Sequence, residues 1–231
     1  MLNDWLNDFY NEGYYNIVQS NELYEYLHIY NLFDYYTKKY NIKPPQSIID
    51  FGCGFGGILS NFNNMGYNTL GIDASEFSIQ KCLEKNINVI HANCSTIKIN
   101  NKFDIALSWN TCIGHNSKEE DINFFNNVYE HLNNDSIFIL MLAHTEYIKK
   151  NFEENFIYNN IKRTSKIVND VLEQNWYISD KEYKTRRILY SIPELYLFLR
   201  KFRNIEQYSY NELGVQNFTK NSKKILLICR K

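Results

Sequence analysis

The stretch that decides the fold runs from Ile48 to Gly57 and reads IIDFGCGFGG. An apolar run and a carboxylate precede a cluster of glycines, which indicates a buried β-strand that ends in a tight turn. Glycine has no Cβ and adopts positive φ without strain, so the backbone of such a turn can come close to a ligand. The sequence therefore predicts a ligand site at the carboxyl end of this strand.

The whole chain has 231 residues and a net charge of −1, which suits one large domain with a continuous core. A near-neutral charge provides no field for non-specific binding of nucleic acid. No segment approaches the roughly 20 apolar residues that span a bilayer, and the first residues lack the features of a signal peptide. We therefore expect a soluble cytoplasmic protein that binds neither nucleic acid nor membranes.

The five cysteines lack the clustered spacing of a zinc site or of a disulfide framework. Free thiols in a reducing compartment are the expectation, and no metal site is predicted.

Apolar strands and amphipathic helices alternate after residue 45. This spacing predicts right-handed crossovers and a parallel sheet that is covered on both faces. The predicted strands are 47–51, 69–72, 89–92, 103–109 and 136–143, and the predicted helices are 56–65, 75–85 and 119–132.

The same pattern divides the single domain into four parts. Residues 1–45 form an aromatic helical arm, and residues 46–144 form the core that binds the ligand. Residues 145–190 form a polar insert with a strand pair near 175–178 and 187–190. Residues 191–231 form a closing helix and two strands, 205–210 and 224–229, which are expected to make a hairpin. The insert should lie over the carboxyl ends of the strands, where open parallel sheets bind ligands.

The glycine spacing fits two templates. Gly52-x-Gly54-x-x-Gly57 fits the dinucleotide fingerprint, whereas Asp50-x-Gly52-x-Gly54-x-Gly56 resembles the motif of class I S-adenosylmethionine-dependent methyltransferases. Asp50 would repel a pyrophosphate, but it suits a ligand with an ammonium and a sulfonium. The strand FDIALSWN, residues 103–110, and the C-terminal strand pair also resemble this family. A dinucleotide-dependent oxidoreductase and a non-catalytic binding protein remain the alternatives.

The resemblance implies a Rossmann-like α/β fold with a seven-stranded, mostly parallel sheet, a C-terminal antiparallel hairpin and a lid. It also implies S-adenosyl-L-methionine as the cofactor. Asp73 ends the second strand, where the family uses a carboxylate to accept hydrogen bonds from both ribose hydroxyls. The implied cofactor-binding residues are Tyr14, Asp50, Phe51, Gly52, Gly54, Gly56, Asp73, Ala74, Ser75, Asn93, Cys94, Trp109 and Asn110.

The acceptor is expected to be a small molecule, because the signatures of nucleic-acid methyltransferases are absent and SWNTCIGH, residues 108–115, resembles the branch with sugar and amine methyltransferases. An oxygen acceptor needs a base, and two histidines follow adjacent strands: His144 is the first choice and His115 the second. Basic and aromatic residues of the insert, Arg163, Trp176 and Arg186, are expected to bind the substrate. The sequence thus predicts methyl transfer to an oxygen of a saccharide, nucleotide-linked or phosphorylated. A small amine is the alternative acceptor, and a homodimer is left open.

Overall fold

The computed structural model describes residues 8–18, 29–42, 46–110, 112–158, 161–178 and 181–231. The predicted helical arm falls partly on residues 1–7 and 19–28, and the Pro44-Pro45 pair that ends it falls on 43–45, all outside the described residues. The described part of the arm contains helices α1 (Glu12–Val18) and α2 (Ile29–Lys39).

The remaining elements follow in chain order. They are β1 (Ser47–Phe51), α3 (Gly57–Asn64), β2 (Asn68–Asp73), α4 (Glu76–Glu84), β3 (Val89–His91), β4 (Phe103–Trp109), α5 (Lys118–Glu130), β5 (Leu132–Ala143), α6 (Thr145–Lys150), β6 (Asn155–Tyr158), β7 (Ile161–Val168), β8 (Val171–Ile178), β9 (Lys181–Ile188), α7 (Ile192–Phe198), β10 (Arg203–Asn211), β11 (Gly214–Asn217) and β12 (Lys224–Arg230).

A central sheet carries the strand order β11-β10-β12-β5-β4-β1-β2-β3. The strands from β3 to β5 pair in parallel, whereas β12, β10 and β11 join by antiparallel pairing. The predicted mostly parallel sheet and its C-terminal antiparallel pair are confirmed. The sheet has eight strands instead of the predicted seven, because the short strand β11 pairs with the outer edge of β10.

The insert forms a second sheet in which β6, β7, β8 and β9 follow one another with antiparallel pairing. The sequence predicted only one strand pair here and placed its second strand at 187–190, whereas β9 begins at Lys181. Charged residues on both faces hide the alternation that marks a strand.

Both faces of the central sheet are covered by helices. On one face α2 and α3 pack together, with the rings of Phe33 and Phe62 4.3 Å apart. On the other face α5 and α7 pack together, with the rings of Phe125 and Phe198 5.5 Å apart. This layering leaves the carboxyl ends of the parallel strands as the open edge for a ligand. No helix in the described ranges is long and apolar enough to cross a membrane.

Candidate active site at the carboxyl edge of the sheet

The glycine turn after β1 opens toward the edge of the sheet at Gly54. Gly54 has φ +52°, and a Cβ placed on it would meet no atom within 4 Å. Gly56 differs, since a Cβ there would press on Ile87 and approach the Cys82 Sγ to 2.8 Å. The prediction assigned all three alternate glycines to the ligand. In the structure the missing side chain of Gly56 makes room for core packing, and a ligand can approach at Gly54.

Asp73, at the end of β2, is tied to this turn. Its Oδ2 accepts a hydrogen bond of 2.8 Å from the Gly54 N–H, and its Oδ1 accepts one of 2.8 Å from the Ser75 N–H. Burial raises the pKa of Asp73, although the hydrogen bonds from Ser75 and Gly54 oppose that rise. Each carboxylate oxygen has a second lone pair, so the fixed carboxylate can accept two further donors.

Asp50, on β1, is a buried carboxyl group. It is 2% exposed, and its Oδ1 is buried with no hydrogen-bond partner among the described residues. Burial raises the pKa of Asp50 to about 7, and the charge of Asp73 adds to this rise. Buried polar atoms in native proteins nearly always have a partner, so this oxygen indicates a missing hydrogen-bond donor or cation.

Other predicted cofactor residues have partners within the protein. Phe51 is fully buried and packs edge-on against Phe124. The Asn93 amide oxygen, predicted to bind adenine, accepts hydrogen bonds from the Ser95 N–H and hydroxyl at 2.8 and 2.7 Å. Cys94 is buried, with its Sγ 3.8 Å from the Ile72 carbonyl oxygen. The cofactor-binding roles predicted for these side chains stay predictions. The core position of Phe51 argues against direct contact between its side chain and the cofactor.

Four predicted cofactor residues at the ends of β2 and β4 remain beside the edge. Ser75 caps α4 by accepting a hydrogen bond from the Ser78 N–H at 3.2 Å. Asn110 has φ +62° and lies next to Lys224, with Nζ and Oδ1 3.4 Å apart. Trp109 is 7% exposed and packs against Tyr210, and its Nε1 is buried without a partner. The Ala74 carbonyl oxygen lies 2.9 Å from a ring nitrogen of His91.

The N-terminal arm bridges the two sheets above this edge. Phe9 is 6% exposed, with its ring 4.7 Å from Tyr14 and 5.6 Å from Trp176. Burial raises the pKa of Tyr10, and Tyr14 and Asp73 raise it further, so Tyr10 lies close to both. The sequence singled out Tyr14, whereas Phe9 and Tyr10 were missed because their partners come from a distant part of the chain.

One face of the second sheet turns toward the arm, and we call it the inner face. Because cross-strand partners share a face, it carries Arg163, Trp176 and Tyr183. The alternation along β9 then adds Thr185 and Arg187 to this face. The Trp176 Nε1 donates a 3.1 Å hydrogen bond to the Thr185 hydroxyl, and Asn11 of the arm donates to the Tyr183 hydroxyl at 3.1 Å.

Arg186, which was predicted to bind the substrate, lies on the opposite, exposed face of β9 and pairs with Glu173 across the strands. Arg187 takes the inner position. The alternation of side chains along β9 could have identified Arg187 as the inner residue. That alternation could not be used because the register of β9 was not evident from the sequence.

The two candidate bases lie in different surroundings. His144 is 3% exposed, with Nδ1 2.9 Å from the Ser222 carbonyl oxygen and its ring 5.0 Å from Phe218. It therefore packs against the loop before β12, and its role as a base stays a prediction. His115 is only partly buried, and its Nδ1 lies 3.2 Å from the carbonyl oxygen of Arg186. His115 thus borders β9, the strand that carries Arg187.

Comparisons with known proteins identify the central fold. Residues 48–135 match the family model described as a methyltransferase domain. A search of curated proteins finds no match. Among solved structures, an S-adenosylmethionine-dependent methyltransferase from Clostridium acetobutylicum ATCC 824 superposes with a TM-score of 0.77 at 14% identity, covering 94% of this chain and 95% of that one. DesVI from Streptomyces venezuelae gives 0.70 at 14% identity, over 93% and 95%.

A third structure is that of CalS10 with bound S-adenosylmethionine, an amino pentose methyltransferase from Micromonospora echinaspora. It superposes with a TM-score of 0.62 at 14% identity, covering 86% of this chain and 89% of that one. At this identity the likenesses show the fold.

The strand order, the glycine turn and the matched segment together define an S-adenosylmethionine-dependent methyltransferase. Residues 48–135 match a methyltransferase domain, whose cofactor is S-adenosylmethionine, and the chain has the fold of the S-adenosylmethionine-dependent methyltransferases. The edge described above fits this cofactor. The orphaned Asp50 oxygen suits the ammonium of its methionine part, Asp73 suits the ribose hydroxyls, and the space beside Gly54 admits a close backbone approach. A dinucleotide pyrophosphate would instead meet the buried carboxyl group of Asp50.

Proposed function

We propose that the protein transfers the methyl group of S-adenosylmethionine to a hydroxyl oxygen of a small saccharide. The observation that supports this proposal is the junction between the cofactor edge and the inner face. Phe9 contacts Trp176 while Tyr10 lies close to Asp73. A polar, aromatic surface therefore borders the cofactor edge, and alternating aromatic and hydrogen-bonding groups suit a sugar. The solved neighbours also include proteins described as sugar and amino pentose methyltransferases.

Bound S-adenosylmethionine supplies an electrophilic methyl group on a sulfonium sulfur. Asp50 and Asp73 hold its two ends, and the arm excludes water above it. Holding two reactants in line can contribute about 7–11 kcal/mol to lowering a barrier, so positioning is the main task of these residues.

A hydroxyl acceptor must also lose its proton as its oxygen forms the new bond to carbon. We assign this step to His115. Donation from its Nδ1–H to the Arg186 carbonyl oxygen sets the neutral tautomer whose lone pair is on Nε2. With the hydroxyl group of the acceptor held in line with that methyl group, Nε2 of His115 would take the hydroxyl proton as the methyl group is transferred.

The test compares His115→Ala with the parent on paired hydroxy and amino sugars, with the product atom identified by mass spectrometry and NMR. For an oxygen product we expect kcat to fall by about 10²–10⁴-fold. The affinity for S-adenosylmethionine should stay unchanged, and the rise of kcat with pH through the imidazole range should disappear. An oxygen product formed at a near-normal rate by His115→Ala would remove the base assignment.

An amino sugar is the second candidate acceptor. The position of His144 favours it, because burial of that residue leaves His115 as the single base candidate, and a neutral amine needs no strong base. The neighbours include proteins described as N-methyltransferases. A nitrogen product, formed at similar rates by His115→Ala and the parent, would replace the oxygen proposal.

A further inference from the structure

The loop after β4 is held by two elements at Gly114, the residue that precedes His115. The Gly114 carbonyl oxygen accepts a 2.7 Å hydrogen bond from the Ile188 N–H, and the Gly114 N–H donates one of 2.9 Å to Oδ2 of Asp121. Gly114 has φ +88°, and a Cβ on it would come within 2.6 Å of the Ile188 carbonyl oxygen. Glycine lacks the Cβ that would block this approach, so the loop lies directly against the end of β9.

Asp121, in the first turn of α5, is a buried carboxyl group with a second tie to the same region. It is 4% exposed, and its Oδ2 also accepts a 2.6 Å hydrogen bond from the Tyr190 hydroxyl group. Burial raises the pKa of Asp121, although the hydrogen bonds from Tyr190 and Gly114 oppose that rise. The Tyr190 carbonyl oxygen in turn accepts a hydrogen bond from the Thr145 hydroxyl group at 2.6 Å. One carboxylate oxygen therefore joins α5 to the loop after β4 and, through Tyr190, to the segment after β9 and the start of α6.

The charge of Asp121 is costly to bury, and the helix does not need it there. In the described ranges no cation forms an ion pair with Asp121, and a buried charge without a counter-ion is destabilising. Two other acids of the first turn already suit the positive end of the helix dipole, since Glu120 closes the capping box with Ser117 and Glu119 is exposed. The burial of Asp121 therefore favours a geometric role, which is to fix the backbone of Gly114.

His115 is attached to the same strand that holds Gly114. Its Nδ1 lies 3.2 Å from the carbonyl oxygen of Arg186, two residues before Ile188 on β9. The backbone before the histidine and the imidazole ring are thus both attached to β9, while Asp121 fixes that backbone from α5. Without the carboxylate the Gly114 N–H would lose its acceptor, the loop would be free to turn, and the ring hydrogen bond to Arg186 would loosen.

We infer that Asp121 is a positioning residue for His115. Its carboxylate fixes the Gly114 backbone so that the imidazole keeps its Nδ1–H on the Arg186 carbonyl oxygen and its lone pair on Nε2. The inference deepens the proposed function on which it rests, since it names the group that orients the base of that same site. The proton of the acceptor goes to His115, and Asp121 acts through the loop alone.

The first test reads the tautomer of His115 by NMR of the imidazole nitrogens in the full chain, without any acceptor. The signals of His115 are assigned by their absence from His115→Ala. The variants are Asp121→Ala, Asp121→Asn, which keeps an acceptor oxygen, and Glu119→Ala as the matched control from the same turn. We expect the parent, Asp121→Asn and Glu119→Ala to hold neutral His115 in the Nδ1–H form. In Asp121→Ala the imidazole should populate both tautomers, because its hydrogen bond to β9 is no longer held in place.

The second test follows methyl transfer to the hydroxy sugars of the activity test in a double-mutant cycle. Asp121→Ala should lower kcat by roughly 10–10²-fold, the loss that a small misplacement of a reacting group brings. The affinity for S-adenosylmethionine should stay that of the parent, and Asp121→Asn should keep most of the activity. In the His115→Ala background Asp121→Ala should lower kcat no further, because a positioning residue acts only through the group that it positions.

The inference is overturned if His115 keeps the Nδ1–H form in Asp121→Ala, if Asp121→Ala and His115→Ala lower kcat independently, or if Glu119→Ala acts like Asp121→Ala. Should Asp121→Ala fail to fold, Asp121→Leu decides, because leucine fills the same space without an acceptor oxygen. The NMR result stands without a methylated product.

The two proposals fail separately. A loss of kcat in His115→Ala, with Asp121→Ala like the parent in both tests, removes the positioning role and leaves the base. Mixed tautomers in Asp121→Ala, with a normal kcat in His115→Ala, remove the base assignment and leave a histidine that Asp121 merely holds.

Discussion

The cofactor edge and the inner face adjoin each other but carry opposite charges. Asp50 and Asp73 place two buried carboxyl groups at the edge, and burial raises the pKa of both. Arg163 and Arg187 place two guanidiniums on the inner face, and burial lowers the pKa of both. Each region thus concentrates buried charge of one sign. The acidic edge suits a cofactor with an ammonium and a sulfonium.

The two regions also differ in how their side chains are aimed. At the edge the backbone turn itself fixes Gly54 against Asp73, so a local motif determines the geometry. On the inner face the aim depends on strand parity, and a shift of one residue moves a side chain to the other face. The first kind of site can therefore be read from a short stretch of sequence, whereas the second needs the register of the whole strand.

The largest expected effect is the loss of S-adenosylmethionine affinity when Asp73, at the cofactor edge, is replaced. Asp73→Ala removes the proposed acceptor of both ribose hydroxyls and the observed acceptor of the Gly54 and Ser75 N–H groups. Hydrogen bonds to a charged group contribute about 1.5–3 kcal/mol each, so we expect the dissociation constant of S-adenosylmethionine to rise by roughly 10²–10⁴-fold. Calorimetry measures it, with Asp34→Ala, an exposed carboxylate of α2, as the control. Unchanged affinity would mean that Asp73 only braces the turn.

The second prediction concerns Asp50 and the dependence of S-adenosylmethionine affinity on pH. Its pKa of about 7 means that the carboxyl group loses its charge as the pH falls below neutrality. The affinity of the parent for S-adenosylmethionine should therefore weaken between about pH 8 and pH 6. Asp50→Asn should bind about 10-fold more weakly at the higher pH and lose this dependence on pH. Equal pH dependence in both proteins would show that another group titrates.

The same substitution should stabilise the free protein. The pKa of Asp50 rises from 3.8 to about 7 on folding, so its contribution to stability is fully present below the unfolded pKa and is lost as the pH rises through the folded pKa. Above neutrality Asp50→Asn should unfold at a higher temperature than the parent, by a free energy of roughly 1–3 kcal/mol. Thermal melts without cofactor test this, and a lower melting temperature would contradict it.

Phe9 of the N-terminal arm contacts the inner face, and replacing it should have a smaller effect on the kinetics. Phe9→Ala removes the ring that contacts Tyr14, Trp176 and Tyr183, so the arm should hold the two regions together less firmly. We expect KM to rise for both substrates by roughly 3–10-fold, because the arm contacts both sides and its apolar contacts are few. Kinetics and limited proteolysis report on this change, with Tyr35→Ala, an exposed aromatic of α2, as the control. If KM rose for only S-adenosylmethionine or only the acceptor, the arm would contact that ligand alone.

Much of the cofactor edge could be predicted, because Asp50, Gly54 and Asp73 are aimed by local turns. The parallel pairing of the central strands also follows from the alternation of strands and helices. Strand β11 was missed because Gly214–Asn217 is too short to show a pattern. Arg187 was passed over for Arg186 because the register of β9 depends on pairing with β8.

His144 is a further residue whose surroundings the sequence did not reveal. Its position after β5 is that of a ligand-facing residue, but a position along the chain does not reveal which segment covers a side chain. The covering residues, Phe218 and Ser222, come from the loop before β12.

The smallest effect on methyl transfer should therefore come from His144→Phe. The phenyl ring keeps the contact with Phe218 but leaves the Ser222 carbonyl oxygen without its donor, which costs roughly 1–3 kcal/mol of stability. We expect kcat to stay within about twofold of the parent while the melting temperature falls, because ΔΔG of this size shifts the melting temperature by a few degrees. His115→Ala is the opposite case, with a large loss of kcat and little change in stability. If His144→Phe instead stayed folded and lost kcat, the base would lie at the end of β5, and the acceptor would have to approach from the β12 side, away from Arg163 and Arg187.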